Sequence, residues 1–212
     1  MAFADDRNTR RGGAAAGQLF PVVQNELSEQ LVSVGTPVLT EITRKNNGWS
    51  TMAVLAVAAL VVRPSTTAAF EIWNGYPAGG KSLIIDDVFT FNLVSSAIQG
   101  TFSVWAQVNV AKAAPAAGAN VTINGNTGKA YGGPVICGLS TTVIANGWRP
   151  YGTSPAFGLG TATPGGAITC FVNGKLIVPP QCSLSLHTVA QTTAWTFQNG
   201  ASWYEEQLTI EA

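Results

Sequence analysis

Apolar and polar residues alternate along much of this sequence with the period of a β-strand. The segment TFSVWAQVNV, residues 101–110, places phenylalanine, valine and alanine on one side of an extended chain. The segment CSLSLHTV, residues 182–189, alternates leucine with serine and histidine in the same way. Because a strand with one apolar face must bury that face against a second layer, the pattern predicts a layered β-protein.

Nine strands are predicted from this alternation and from the turn residues between the runs. They are expected near residues 38–44, 51–62, 69–73, 82–94, 101–110, 136–144, 167–173, 182–190 and 195–208. Turns are expected at the Asn- and Gly-rich positions 46–48, 76–80, 124–126, 173–174 and 199–200. Residues 111–134 and 145–166 lack alternation and are predicted to be long loops of the kind that bind partners. No helical pattern separates consecutive strands, which favours an antiparallel sandwich or barrel.

The first 36 residues differ in composition from the rest of the chain. Residues 1–17 are polar and rich in glycine and alanine, which predicts an extended arm. Apolar residues at Val23, Leu27 and Leu31 predict a short amphipathic helix between residues 21 and 34. The expected organisation is therefore an arm with a short helix over residues 1–36, followed by one β-domain over residues 37–212.

Residues 75–82, GYPAGGKS, match the pattern G-x-x-x-x-G-K-[ST] of phosphate-binding loops. Such a loop requires a helix that begins at its Lys-Ser pair, where backbone N–H groups bind phosphate. The residues that follow, LIIDDVFTF, favour a strand instead. Asp86 and Asp87 come too soon after Ser82 to reach the loop as a magnesium ligand, and adjacent strand residues are expected to face opposite ways. The match is interpreted as the turn of a β-hairpin.

Charged side chains are few and unevenly placed. They make up 10% of the sequence, the net charge is zero, and no Asp or Glu lies between Val88 and Tyr204. His187, the single histidine, therefore has no acid near it in sequence for a Ser-His-Asp triad. We expect no enzyme activity, no catalytic residue, no cofactor and no metal site. The zero net charge and scattered basic residues also argue against a nucleic-acid partner.

Cysteine usage and targeting signals indicate an intracellular site of synthesis. Cys137, Cys170 and Cys182 lack C-x-x-C spacing and are expected to be buried free thiols. The N-terminal sequence MAFADDRNTRRGG has acids where a secretory signal peptide has a basic start and an apolar core, so no signal peptide is predicted. The apolar run of residues 52–62 is about half the length needed to span a bilayer, which predicts a buried strand or a short core helix and no membrane association.

The C-terminal part resembles a known family. The segments IVPP, residues 177–180, SLSL, residues 183–186, and GASWYE, residues 200–205, are similar to the last strands of jelly-roll proteins that decorate tailed-phage capsids. FEIWNGYPAGGKSLIIDDVFTFNL, residues 70–93, is similar to the paired strands that open these domains. The resemblance covers about residues 50–207. It implies an all-β jelly roll of the tumour-necrosis-factor-like trimeric kind, with no catalytic residues.

The resemblance implies a virion structural protein, made in the host cytoplasm, that forms a homotrimer and binds and stabilises the major capsid protein. The alternative is a carbohydrate-binding or host-attachment module on the same fold, in which exposed aromatic loop residues would stack on a glycan. The residues expected to contact a partner are Phe3, Arg7, Arg10, Arg11 and Phe20 in the N-terminal region and Trp148, Tyr151 and Phe157 in the second long loop.

Overall fold

The computed structural model describes residues 38–109, 115, 121–144, 147–156 and 165–208. One short helix, α1, spans Val38–Arg44 and precedes eleven strands. The strands are β1 Gly48–Ala53, β2 Val57–Ala58, β3 Thr67–Trp73, β4 Lys81–Val94, β5 Gly100–Asn109, β6 Val121–Gly125, β7 Ile136–Thr142, β8 Arg149–Ala156, β9 Gly166–Val178, β10 Ser183–Ala190 and β11 Thr196–Gln207.

The strands form two antiparallel sheets that pack as a β-sandwich, as the alternation predicted. The six-stranded sheet has the order β6-β1-β11-β4-β9, with β2 paired to the start of β11. The five-stranded sheet has the order β7-β3-β10-β5-β8. Every pairing between these strands is antiparallel.

The main pairings are nested along the chain. The strand β1 pairs with β11, β3 with β10, β4 with β9, and β5 with β8. The first and third of these pairs lie in the six-stranded sheet, and the second and fourth lie in the five-stranded sheet. Within each sheet the two pairs are joined by one further strand pairing, β11 with β4 in the six-stranded sheet and β10 with β5 in the five-stranded sheet.

The core lies between the sheets and is built from alternate residues of each strand. The largest fully buried side chains include Trp203 and Ile85 from the six-stranded sheet and Phe70 and Leu184 from the five-stranded sheet. A second, smaller cluster around Trp195 and the rings of β5 and β11 closes one end of the sandwich. Burial of these large side chains is the main stabilising contribution, at about 1.5–3 kcal/mol for each one.

Four predictions about elements are wrong. The strand predicted at residues 51–62 is divided into β1 and the two-residue β2, and apolar residues that were expected to be buried are exposed: Val54, Leu55, Val61 and Val62. Residues 38–44 form the helix α1, although their β-branched residues predicted a strand. The two predicted long loops contain the strands β6 and β8. The turn at residues 76–80 connects β3 in one sheet to β4 in the other, so it is not the turn of a hairpin. A strand does begin at Lys81, as predicted, where a phosphate-binding loop would need a helix.

Two Asn-Gly pairs that predicted turns between strands lie within strands. Asn173 and Gly174, with φ of 48° and 74°, form an outward excursion inside β9. Asn199 and Gly200 lie in the middle of β11, where both are buried. The Pro179-Pro180 pair separates β9 from β10.

Residues Val38–Ala212 form one compact unit. The predicted arm and the helix predicted between residues 21 and 34 lie outside the described residues, so the predicted domain organisation remains a prediction. Within the described part of the chain, no helix is long and apolar enough to cross a membrane.

Candidate interaction surface

The outer face of the six-stranded sheet carries large apolar side chains that contact solvent. Met52 on β1 is 43% exposed, Leu93 on β4 36%, and Phe171 and Ile177 on β9 70% and 36%. Two further aromatic residues on the outer side of β4 are half-buried, Phe89 and Phe91. These six residues form what we call the apolar face. Exposed apolar side chains that share one sheet face mark interaction surfaces in soluble proteins.

The centre of the apolar face is flat because Gly200 of β11 leaves room for a ring. A Cβ atom at Gly200 would lie 2.4 Å from ring atoms of Phe89 and 2.4 Å from the backbone oxygen of Thr51. The Phe89 ring therefore covers the glycine and fills the space that a side chain would occupy. Glycine weakens a strand interior, and a cross-strand aromatic ring that packs on it restores buried contact area.

A β-bulge places two carboxylates on the same side of this sheet. Ile85 pairs with Trp203 and Asp87 pairs with Ser202, so Asp86 is an extra residue on β4. Because Ile85 and Val88 both point into the core and are fully buried, the two acids between them lie on the outer side, half-buried. The prediction that Asp86 and Asp87 face opposite ways is therefore wrong. We call these two residues the acid pair.

The edge strand β9 follows the bulge with an excursion of its own. Phe171 pairs with Asp87 and Leu176 pairs with Ile85, so four residues of β9, 172–175, lie opposite Asp86 alone. Val172 is buried in the core, whereas Asn173 and Lys175 are exposed. The positive φ of Asn173 and Gly174 gives this excursion a tight turn. The excursion places the exposed ring of Phe171 directly beside the acid pair.

The outer face of the five-stranded sheet has the opposite character, because its side chains are polar and buried. Six polar residues on β3, β5 and β10 are at most 3% exposed: Glu71, Gln107, Asn109, Ser183, Ser185 and His187. The amide of Gln107 donates to the backbone oxygen of Ile144 at 2.9 Å and accepts from the N–H of Gly147 at 3.1 Å. The loop between β7 and β8 therefore covers part of this face. The large apolar side chains that are exposed and lie on the described strands all belong to the other sheet.

The predicted partner-binding residues of the second long loop are placed in different environments. Trp148 is 3% exposed, packs with Ala68 and Val143, and donates its indole N–H to the backbone oxygen of Ser65 at 2.7 Å. Its ring is therefore an anchor of the protein's own interior. Tyr151, on β8, is half-buried and packs against the main core.

The remaining predicted contact residues lie outside the described part of the chain. They are Phe3, Arg7, Arg10, Arg11, Phe20 and Phe157. Their expected contacts with a partner remain predictions.

A buried carboxylate lies at one end of the sandwich. Glu205 of β11 is 4% exposed and accepts hydrogen bonds from the hydroxyls of Tyr76 and Tyr131, each at 2.7 Å. Burial and the adjacent carboxylate raise the pKa of Tyr76 to about 12, and burial likewise raises the pKa of Tyr131. The Nζ of Lys81 lies 3.7 Å from the Glu205 carboxylate. These side chains connect β11, the β3–β4 connection and the segment between β6 and β7.

The described part of the chain contains few side chains that could act as a catalytic acid, base or nucleophile. His187 is buried, which lowers its pKa, and its Nδ1 lies 3.1 Å from the backbone oxygen of Thr188. Cys137, Cys170 and Cys182 are free thiols, and burial raises the pKa of Cys137 to about 12. Among the described residues, no group of three or more His, Cys, Asp or Glu side chains could hold a metal ion.

Comparison with known proteins identifies no relatives of this chain. No protein-family model matches the sequence, and no curated protein or solved structure is significantly similar to it. The architecture and the surfaces described above therefore carry the functional argument.

The alternation in the sequence did not predict the apolar face. In the predicted strand at residues 82–94, the large residues Leu83, Ile85, Phe89 and Phe91 belong to one alternating set, so a regular strand would place all four on the same side. The bulge at Asp86 reverses the alternation, which leaves Leu83 and Ile85 in the core and Phe89 and Phe91 on the outer side. Nothing in the alternation predicted that bulge.

Proposed function

We propose that this protein is an oligomeric virion structural protein, a capsid decoration or minor capsid component, and that its sandwich is a jelly roll of the tumour-necrosis-factor-like kind. A jelly roll is a long antiparallel hairpin wrapped so that successive strand pairs fall in alternate sheets. The nested pairing of β1, β3, β4 and β5 with β11, β10, β9 and β8 supports that topology.

The apolar face is the observation that carries the proposal. The four strands β1, β11, β4 and β9, spaced about 4.8 Å apart, make a face about 19 Å wide, and ten residues at about 3.3 Å each make it about 33 Å long, or about 630 Å². A stable protein complex buries about 600–1,000 Å² on each partner. The face is therefore large enough to be an interface between copies of this chain, and rotational symmetry would make that assembly closed, with a trimer as the expected state.

The low charge of the chain fits a protein that works inside an assembly. Charged residues are 10% of the sequence and the net charge is zero, a composition that favours association over colloidal repulsion. The major capsid protein is the proposed partner, with the N-terminal region and its arginines as the proposed point of attachment.

The alternative function, glycan binding through exposed aromatic residues, has less support from the described residues. Four of the six tryptophans are buried, and Trp73 and Trp105 are only partly accessible. Stacking on a sugar requires an open ring face. Binding of the purified oligomer to a glycan array, at concentrations where a control sandwich protein does not bind, would revive this alternative.

Light scattering coupled to size-exclusion chromatography tests the oligomer. The expected mass at micromolar concentration is three times the chain mass of 22.0 kDa. Phe171→Ser removes the most exposed ring of the apolar face and should shift the protein toward monomer. Ile98→Ser is the matched control, because Ile98 is 49% exposed and lies between β4 and β5, away from that face. A monomer for the unmodified protein would overturn the oligomer.

Co-expression with the major capsid protein of the same genome tests the virion role. The protein should co-sediment with assembled capsids at a fixed stoichiometry and raise the temperature at which they disrupt. Failure to bind assembled capsids, with the oligomer intact, would overturn the virion role and leave the oligomer standing.

A further inference from the structure

We propose that the acid pair makes self-association through the apolar face depend on pH, so that copies of this chain bind one another more tightly as pH falls. This inference rests on the proposed oligomer. The group that binds the acid pair is a proton, and the partner that covers the apolar face is a second copy of the chain.

The position of the acid pair carries the argument. Asp87 pairs with Ser202 on one side and with Phe171 on the other, which places it among the exposed side chains of the apolar face. Its carboxylate is hydrogen-bonded to Ser202, yet its Oδ1 is buried and has no hydrogen-bond partner. A second copy that covers Phe171 and Met52 would therefore remove the water that still reaches these carboxylates.

The charged and titratable groups around the pair are mostly acidic. On β4 the neighbour of Asp87 is Asp86 itself, and on β11 the nearby groups are Tyr204 and Glu206. On β9 the one charged residue is Lys175, in the excursion opposite Asp86. The part of β1 that continues the face past Ser202 contributes Ser50 and Met52, which carry no charge.

Covering an ionised carboxylate is costly, and protonation removes most of that cost. A charge that is taken out of water without a partner destabilises the complex, and its pKa shifts so that the neutral form is favoured. In a trimer the contacts are heterologous, so each acid pair is covered by a different surface of the neighbouring copy, and the cost arises from that burial. Association is therefore expected to take up protons.

The pKa of Asp87 is already raised in the free chain, and assembly is expected to raise it further. Burial raises the pKa of Asp87 above the usual value of 3.8, and the charge of Asp86 raises it further, against the hydrogen bonds from Ser202. Covering the face raises that pKa again, because it completes the burial. The interface gains affinity from the protonated form, fully so at low pH, and loses it as pH rises through the pKa of the assembled state.

Sedimentation velocity between pH 4.5 and 8 tests the proposal, with far-UV circular dichroism at each pH to confirm that the chain is folded. As pH is lowered, the dissociation constant of the unmodified protein should decrease by about tenfold per pH unit for each proton that association takes up. The double variant Asp86→Asn with Asp87→Asn should associate independently of pH in this range, and at pH 8 more tightly than the unmodified protein. Glu206→Gln, an exposed acid on the same sheet, is the matched control and should keep the pH dependence.

Several results would overturn the proposal. If the double variant kept the full pH dependence, other groups would be responsible. If association instead became weaker as pH fell, and Lys175→Gln removed that pH dependence, a lysine of one copy would be pairing with the acids of another. Association at pH 8 that required calcium and was reversed by EDTA would assign the acids to a cation instead of a proton. An oligomer of constant affinity would refute this inference alone, whereas a monomer at every pH and concentration would refute the oligomer as well.

Discussion

At the scale of single residues, Glu205 is a buried carboxylate stabilised by tyrosine hydroxyls. Two hydroxyls donate to its two oxygens, and the Lys81 ammonium, on a side chain that is 45% exposed, lies at 3.7 Å. Hydrogen bonds to a charged group are stronger than those between neutral groups. The family resemblance implied an aromatic-plus-Glu pattern on the last strand, and β11 contains Trp203, Tyr204 and Glu205. The tyrosines that bind Glu205 are more than seventy residues away in sequence and could not be predicted.

Tyr131→Phe should destabilise the fold, because it removes a hydrogen bond to a buried carboxylate. The expected loss is about 1.5–3 kcal/mol in the free energy of unfolding, measured by urea denaturation at pH 7. Tyr151→Phe is the matched control, since its ring also packs against the main core but its hydroxyl does not bond to Glu205. The control should change the free energy by about 0.5 kcal/mol or less. Equal losses in the two variants would contradict a specific role for the Tyr131 hydroxyl.

At the scale of elements, long alternating runs were predicted well, and interrupted strands were not. The strands β5, β10 and β11 follow the sequence pattern because their core-facing residues are mainly apolar. The strand β4 lies where it was predicted, but its bulge reverses the facing of the residues that follow Asp87. The strand β8, RPYGTSPA, has two prolines and a glycine, and it is tolerated because β8 is an edge strand with one paired side. Edge position is a property of the whole sheet, which the local sequence does not encode.

The helix α1 shows the limit of local propensity in the other direction. VLTEITR contains two threonines, a valine and an isoleucine, residues that favour strands, yet it forms two turns of helix. The same limit applies to the bulge on β4, since nothing in LIIDDVF shows which of the two acids is the extra residue. Neither the apolar face nor the acid pair within it could therefore be predicted from the alternation, because both depend on the bulge.

Gly200→Ala should disturb β11 and the apolar face together. The new methyl group would overlap the Phe89 ring and the Thr51 backbone oxygen, each at 2.4 Å. Overpacking of this kind costs about 1–3 kcal/mol, and the displaced ring should also weaken self-association. Gly132→Ala is the matched control, because a Cβ there meets nothing within 4 Å. If thermal unfolding and light scattering showed no difference between the two variants, the close packing of Phe89 on Gly200 would be disproved.

At the scale of the whole molecule, the fold depends on pairings between strands that are far apart in the sequence. Gly48 pairs with Tyr204, so the first and last strands of the sandwich lie side by side. Long-range β-pairing of this kind cannot be inferred from local alternation, which explains why the sequence predicted a sandwich without its strand order. Such topologies also fold slowly, on the scale of about milliseconds to seconds, because distant segments must meet before native contacts form.

Because β1 and β11 already pair within the sandwich, we expect the sandwich to fold without the N-terminal arm. The eleven strands of the described residues all follow residue 47, so deleting residues 2–17 should leave the far-UV circular dichroism spectrum unchanged. The same deletion should weaken attachment to capsids, because it removes Phe3 and the three arginines. Burial of one large apolar side chain contributes about 1.5–3 kcal/mol, and each exposed arginine pair about 1 kcal/mol or less.

The affinity of the truncated protein for capsids should therefore fall by about tenfold or more. A full-length variant with Arg7, Arg10 and Arg11 changed to glutamine separates the two contributions. It should lose less affinity than the deletion, and its deficit should shrink at high salt, because screening weakens the exposed pairs in the unmodified protein. Co-sedimentation of the truncated protein at full stoichiometry and affinity would show that the arm does not contribute to attachment. The docking surface would then have to lie on the sandwich itself.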